Sequence, residues 1–156
     1  MRKAHAGIFA AVALGAALTL GACTSGGTQE TSELEPASDI TMESVEGTWN
    51  LVGAAGEEGV VEDLPEGTLT IEQDSFSFSA QCNQFSGSVA VEDGVLSTDQ
   101  QIQTLMACDG PAGQVDDIAA AVLSDIQSST LTAGDSDPQK LTLVGPGGAS
   151  LDFELN

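Results

Sequence analysis

The sequence predicts a β-rich α+β domain, in which an antiparallel sheet curls into a small barrel-like structure with one inserted α-helix. Three observations predict this fold class. Several short segments alternate apolar and polar residues, which is the period of a strand with one wet face. Asp93-Gly94, between two such segments, is a strong signal for a two-residue hairpin. Near residue 115 the apolar spacing changes to that of an amphipathic helix.

The first two strands are predicted from paired apolar residues. Trp49 and Leu51 share one face of the first strand, and Leu69 and Ile71 share one face of the second. Residues 53–65, between these strands, contain Gly, Pro and four acids, and we expect them to form a loop.

The stretch FSFSAQCNQFSG, residues 76–87, predicts a strand whose facing changes partway along. Its first inward-facing residues are Phe76, Phe78, Ala80 and Cys82. Phe85 is also apolar, but its number is odd whereas those four are even. If Phe85 also faces inward, the alternation of the strand must shift by one residue before it. Such a shift requires a bulge or a tight turn. Asn83 is predicted there because Asn tolerates left-handed backbone, and Gly87 adds freedom to bend.

Val95 and Leu96 open another predicted strand. Further on, Ile102, Met106 and Cys108 share a parity, and their side chains are expected to face inward. Gly110-Pro111 then suits the start of a helix.

One helix and three further strands complete the predicted domain. Six apolar residues, spaced i, i+3, i+4, i+7, i+8 and i+11, form one helical stripe: Val115, Ile118, Ala119, Val122, Leu123 and Ile126. Asp116 and Asp117 lie in or near the first helical turns, where the helix dipole favours acids. The last strands are predicted at 130–133, 140–144 and 149–155.

Residues 1–22 are predicted to be a lipoprotein signal peptide. Arg2 and Lys3 precede an apolar run from Ile8 to Leu20, which is too short to span a bilayer comfortably. The run ends in Leu-Gly-Ala-Cys, which resembles the bacterial lipobox. That resemblance implies cleavage before Cys23 and a diacylglycerol group on its thiol. An ordinary export signal with a chance cysteine is the alternative.

The polar and acidic residues 23–44 are then the lipidated cysteine and a flexible tether, and the folded domain is predicted over 45–156. We expect the protein to lie at the cell membrane, lipid-anchored on the extracytoplasmic face.

Processing would leave a chain with almost no base. Removal of Arg2 and Lys3 lowers the formal charge by two, from −21 to −23, and leaves Lys140 as the only base. His5, the only histidine, leaves with the signal. This composition argues against a nucleic-acid partner and against a histidine base or zinc ligand. Anionic lipid would repel the domain, so the acyl chains must hold it to the membrane.

Cys82 and Cys108 are the two cysteines that remain once Cys23 is lipidated. Both fall on predicted core-facing positions, and an exported chain matures in an oxidising space, so a disulfide is expected. Two free buried thiols or a metal-binding pair are the alternatives.

At this point the residues resemble the META (HslJ-like) domain over roughly 45–156. The resemblance is carried by Trp49 with Leu51, by Cys82-Asn83 followed by Phe85 and Gly87, by Thr104-Leu105-Met106-Ala107-Cys108, and by the helix after it. The family usually has Gly before the Cys-Asn pair, where this chain has Gln81.

The resemblance implies a small antiparallel barrel-like sheet with one helix, in an extracytoplasmic and often lipid-anchored protein. Relatives are associated with heat stress, with tolerance of certain antibiotics and with virulence in some protozoa. No reaction is established for the family.

We expect no enzymatic activity and no cofactor. Cysteine catalysis needs a thiolate and a base, and this chain has no histidine once the signal has left and no free thiol once the disulfide has formed. A calcium site is weakly indicated by the acids Glu57, Glu58, Glu62 and Asp63, which lack EF-hand spacing. A solvated, mutually repelling surface is the preferred interpretation of these acids.

Two functions are compatible with these expectations. The first is a non-catalytic role in envelope stress response or maintenance, through binding an unknown protein or envelope component. The alternative is a small-ligand-binding or inhibitor module that uses the concave face of the sheet. An apolar pocket larger than about 300 Å³ would favour the alternative.

Overall fold

A computed structural model describes residues 39–132 and 138–156. The elements in chain order are α1 (Met42–Val45), β1 (Gly47–Gly56), β2 (Gly59–Val60), β3 (Thr68–Glu72), β4 (Ser75–Ser79), β5 (Gln84–Glu92), β6 (Val95–Gln103), α2 (Gly110–Ser124), β7 (Ser128–Thr132), β8 (Lys140–Val144) and β9 (Ser150–Leu155). All strand pairs are antiparallel, which confirms the predicted fold class.

The strands form one sheet in the order β6-β5-β4-β3-β1-β9-β8-β7, with β2 paired to β1. The sheet curls into a half-barrel. Its two end strands, β6 and β7, approach each other. The Leu96 N–H on β6 donates a hydrogen bond of 3.0 Å to Ser129 Oγ on β7. Thr98 Oγ1 on β6 also donates to the Leu123 carbonyl oxygen of α2. The helix therefore lies against the line where the sheet nearly closes.

Alternation in the strands and the stripe on α2 build one core. The largest fully buried side chains are Trp49, Phe78, Phe85, Phe153, Leu69, Ile71, Leu96, Leu123, Leu131, Leu141, Leu143 and Leu151. The ring of Phe78 packs edge-on against Phe153 at a centroid distance of 5.9 Å. Burial of this apolar surface is the main driving force for the fold. The predicted stripe is buried from Val115 to Leu123, and Ile126 packs beside it after α2 has ended.

The folded region extends ahead of Val45 into residues that the sequence analysis assigned to the tether. Ile40 is buried, and Thr41 caps the short α1 through a reciprocal pair of hydrogen bonds with Ser44. The Trp49 indole N–H donates a hydrogen bond of 2.8 Å to the Val45 carbonyl oxygen, so α1 is fastened to the buried face of β1.

Three local expectations were wrong. Part of the predicted loop 53–65 is strand, because β1 continues to Gly56 and pairs with β2. Ile102 is exposed because the pairing of β5 and β6 shifts register between Asp99 and Ile102, which reverses the facing of β6. Met106 is exposed because β6 ends at Gln103, and the chain that follows has no strand alternation to face it inward. Asn83 does not have the left-handed backbone that was expected of it. The residue with positive φ beside Cys82 is Gln81, with φ 69°.

The predicted signal peptide, the lipidated Cys23 and the tether up to residue 38 lie outside the described residues. Within the ranges 39–132 and 138–156, no helix is both long enough and apolar enough to cross a membrane.

Candidate functional site

Several of the sequence-predicted residues lie at two places, on different faces of α2. The first is the Asn83 junction, which we define as Cys82, Asn83, Thr104, Met106, Cys108 and Asp116. The second is a cleft between α2, the β1–β2 hairpin and the turn before β9.

Asn83 is the hub of the junction, and its side chain replaces a missing strand partner. It is 5% exposed. Its Oδ1 accepts from the Met106 N–H at 2.7 Å, and its Nδ2 donates to the Met106 carbonyl oxygen at 3.0 Å. One amide side chain thus satisfies both backbone groups of a residue that has left β6, as a neighbouring strand would.

Thr104 extends the same network towards β5. Its Oγ1 donates to Asn83 Oδ1 at 3.0 Å and accepts from the Gln84 N–H at 2.9 Å. The Thr104 N–H in turn donates to the Gln84 carbonyl oxygen at 3.0 Å. Together these bonds fix the segment before α2 against the start of β5.

Asp116 completes the junction, a role that was not predicted from the sequence. Its Oδ2 accepts from the Asn83 backbone N–H at 3.1 Å and from Asn83 Nδ2 at 2.6 Å, and the residue is 5% exposed. The helical spacing does indicate burial of Asp116. It lies three positions before Ala119 and seven before Leu123, on the same buried stripe. Its acidic side chain had been assigned to the helix dipole instead.

A disulfide joins Cys82 to Cys108 across the junction, with the two Cα atoms 6.3 Å apart and a sequence separation of 26. The two sulfur atoms and an Asp116 oxygen lie within 4.8 Å of one another, which is a possible arrangement of metal ligands. The disulfide engages both thiols, so this arrangement does not bind metal as thiolates while the bond is intact.

Two glycines allow close approaches, one at the junction and one at the bulge between β5 and β6. A Cβ at Gly113 would overlap the Cys108 carbonyl oxygen, so α2 can pack against the disulfide segment only with glycine there. A Cβ at Gly87 would lie 2.7 Å from the Asp99 carbonyl oxygen, at the point where the pairing of β5 and β6 shifts register. Gly87 therefore serves close packing at a bulge, which is more specific than the bending freedom that the sequence indicated.

The junction is chemically closed. Among the described residues, no buried side-chain nitrogen or oxygen lacks a hydrogen-bond partner. A satisfied hydrogen-bond network rigidifies a fold. Its buried polar members, Asn83 and Asp116, leave no buried side-chain nitrogen or oxygen unpaired for a ligand. We interpret the junction as a clamp, and the family-motif residues Trp49 and Phe85 as parts of the core beside it.

The cleft has the opposite character. Its volume is about 590 Å³. It is lined by Gly56, Glu57, Glu58, Gly59, Val60, Val61, Gln114, Asp117, Ile118, Ala121, Pro146, Gly147 and Ala149. The four α2 residues in its wall are spaced i, i+3, i+4 and i+7, so a single face of the helix forms one side.

The acids predicted as a weak calcium site are divided by the fold. Glu57 and Glu58 line the cleft together with Asp117, whereas Glu62 and Asp63 are exposed and lie outside its wall. Val61 lies between the two pairs in sequence, and its side chain is buried. The calcium hypothesis stays a prediction, and the acids that share a surface are Glu57, Glu58 and Asp117.

Comparison with known proteins places the whole domain in context. The model of the META domain family matches residues 40–156. An NMR structure of a protein from Burkholderia xenovorans is 25% identical, with a TM-score of 0.65 over 86% of this chain and 99% of that chain. A second NMR structure is 20% identical, with a TM-score of 0.53 over 74% of this chain and 95% of the other, and it supports the fold alone. No curated protein matches the sequence.

Proposed function

The chain belongs to the META domain family, and from this premise we propose that it is a lipid-anchored, extracytoplasmic binding protein without catalytic activity. The observation that carries the binding function is the cleft. Its volume of about 590 Å³ lies in the range of small-molecule sites, and buried apolar side chains of Val61, Ile118 and Ala149 form part of its wall.

The cleft favours the small-ligand alternative over the first candidate function. The ligand site that we propose is the cleft rather than the concave face of the sheet. The concave face of the described sheet is filled by core side chains and by α2. The open volume lies at the edge of that core, where α2 meets the β1–β2 hairpin.

The non-catalytic part of the proposal is supported by the chemistry of the junction. Cys82 and Cys108 are joined in a disulfide, and the described residues contain no histidine to serve as a base. The cleft wall offers carboxylates and one amide, Gln114, but neither a thiol nor a hydroxyl side chain.

The anchor and the location rest on the sequence Leu20-Gly21-Ala22-Cys23. Intact mass of the native protein should show an acylated Cys23 at its N-terminus, and Cys23→Ser should release the protein from membranes. A native mature form that begins at another residue would contradict the anchor.

The binding function is tested with a fragment library of cationic, neutral and anionic small molecules, added to the full-length protein in nanodiscs of zwitterionic lipid. Methyl NMR signals of Val60, Ala121 and Ala149 report on the cleft, and those of Leu141 and Leu143 report on the core. We expect saturable shifts of the cleft signals alone. A library that leaves every cleft methyl unmoved would overturn the binding function.

A second candidate, attachment to a protein or other envelope component, is favoured by one observation. Ile102, Leu105 and Met106 are 71%, 89% and 57% exposed, Ile102 near the end of β6 and the other two just after it. Leu105→Ser with Met106→Gln should then remove a cross-linked partner from envelopes, whereas changes in the cleft should not. A role in envelope stress or maintenance rests on the family resemblance, and growth of a deletion strain under heat tests it.

A further inference from the structure

We propose that the cleft selects an amphipathic cation, meaning an organic ammonium group carried on an apolar body. This inference rests on the proposed binding function and specifies the chemical class of ligand. It requires an apolar surface for the body, negative charge for the head, and a reason to exclude ligands of other charge. The described residues supply all three.

The apolar surface comes from three separate elements. Ile118 and Ala121 face the cleft from α2, Val60 and Val61 face it from the hairpin, and Ala149 faces it from the start of β9. Val60 is 72% exposed although it is a branched aliphatic residue, so its side chain remains available to a ligand. Each methylene group that a ligand buries there contributes favourably to binding.

The negative charge comes from Glu57, Glu58 and Asp117, all of which are exposed in the cleft wall. Within residues 39–132 and 138–156, no hydrogen bond or ion pair engages these three carboxylates. Carboxylates beside an apolar wall attract a cation more strongly than carboxylates surrounded by water, because the low-dielectric wall focuses their field.

The described residues do not supply that cation themselves. Lys140 is the only Lys or Arg in the described residues, and its Nζ lies 3.1 Å from Glu154 on the neighbouring strand, away from the cleft. The formal charge of −21 repels anionic ligands from the whole surface. A volume of about 590 Å³ also exceeds what a bare metal ion needs. An organic cation satisfies the charge and the apolar surface together.

The test compares three probes that share one apolar body: 4-phenylbutylammonium, 4-phenylbutanol and 4-phenylbutyrate. Each is titrated calorimetrically into the full-length protein in zwitterionic nanodiscs, with empty nanodiscs as the blank. We expect the ammonium probe to bind at least about tenfold more tightly than the alcohol, since up to three charge pairs form. The carboxylate should show no saturable binding.

Charge variants separate the cleft from the net charge of the protein. Glu57→Gln with Glu58→Gln and Asp117→Asn should weaken the ammonium probe about tenfold. The matched control removes three exposed acids elsewhere, through Glu72→Gln with Glu92→Gln and Asp93→Asn, and should change its affinity less than about twofold. Equal weakening by both triple variants would overturn the inference.

A matched pair of variants tests the contribution of the apolar surface to binding. Val60→Ser removes an aliphatic residue that is 72% exposed in the cleft, and Ile102→Ser removes one that is 71% exposed on β6. Val60→Ser should weaken the ammonium probe several-fold, and Ile102→Ser should have no effect. Equal effects of the two serine substitutions would also overturn the inference.

The outcomes distinguish the two proposals. Cleft methyl shifts produced by the alcohol or the carboxylate, with no preference for the ammonium probe, would overturn the inference and leave the binding function standing. Absence of shifts with all three probes and with the fragment library would overturn both.

Discussion

Asp116 and Asp117 are consecutive acids on α2, and the fold gives them opposite surroundings. Asp116 is 5% exposed and accepts two hydrogen bonds from Asn83 inside a closed network. Asp117 is exposed and lines a cleft of about 590 Å³. One step along a helix turns a side chain by about 100°, so the two carboxylates point to different faces. Sequence position therefore says little about the task of either acid, whereas burial and partners decide it.

The difference separates stability from binding in this molecule. The junction places its polar atoms in mutual hydrogen bonds and holds α2 to the sheet. The cleft leaves the carboxylates of Glu57, Glu58 and Asp117 without a hydrogen-bond partner among the described residues. Substitutions at the junction should therefore change the free energy of unfolding, and substitutions in the cleft should change binding with little effect on folding.

The largest effect should come from opening the disulfide at the junction. Cys82→Ser with Cys108→Ser should lower the free energy of unfolding by about 3.5 kcal/mol, because the bond closes a loop of 26 residues in the unfolded chain. Urea denaturation measures the change. The reduced parent protein is the control and should match the double variant. Labelling of both thiols in the folded, oxidised protein would contradict this prediction.

The next effect compares the two acids directly. Asp116→Ala should lower the free energy of unfolding by about 3 kcal/mol, because it removes two charge-assisted hydrogen bonds and leaves buried donors of Asn83 unpaired. Asp117→Ala is the matched control, with the same chemical change on the same helix, and should stay within about 0.5 kcal/mol. Similar values for the two variants would remove the distinction between the junction and the cleft.

A smaller effect of opposite sign is expected just before the junction. Gln81 has φ 69°, a backbone conformation that favours glycine, so Gln81→Gly should raise the free energy of unfolding by about 1 kcal/mol. Gln84→Gly is the control, since Gln84 is exposed at the start of β5 without a positive φ, and it should be destabilising. Thermal denaturation of both variants measures the difference, and destabilisation by Gln81→Gly would contradict the prediction.

The smallest effect should come from salt, which acts on exposed acids and hardly on Asp116. The Debye length falls from about 30 Å at 0.01 M to about 3 Å at 1 M, so NaCl should raise the melting temperature by a few degrees over that range. Calcium should add nothing beyond its ionic strength. A separate, saturable rise with micromolar calcium would instead reveal a calcium site, for which Glu57, Glu58 and Asp117 are the acids that share a surface. A melting temperature indifferent to NaCl would show that repulsion between the acids is negligible.

Much of the fold could be predicted from local patterns. Alternation in residues 76–80, the Asp93-Gly94 hairpin and the stripe from Val115 to Leu123 each predicted an element that the structure contains. These signals work because each depends on neighbours along the chain. The exposed position of Ile102 could not be predicted from parity, because a register shift in the pairing of β5 and β6 precedes it. That of Met106 could not be predicted because parity has no meaning once β6 has ended.

The candidate site was predicted only in part for the same reason. Cys82, Asn83, Thr104 and Cys108 were identified through the family pattern, and Glu57 with Glu58 through their charge. The partnership of Asn83 with Asp116 spans 33 residues, and no local period reports a contact at that distance. The hairpin's place beside α2, which creates the cleft, likewise depends on how distant elements pack.

The sequence by itself determined the periods of strand and helix, the hairpin turn and the excess of acids, since these depend on residue type and spacing alone. The tertiary structure decided which acids are buried and which are available. It placed Asp116 against Asn83 and divided Glu57 and Glu58 from Glu62 and Asp63. The physical reason is that the surroundings of a carboxylate are set by the elements packed against it, and those elements come from distant parts of the chain.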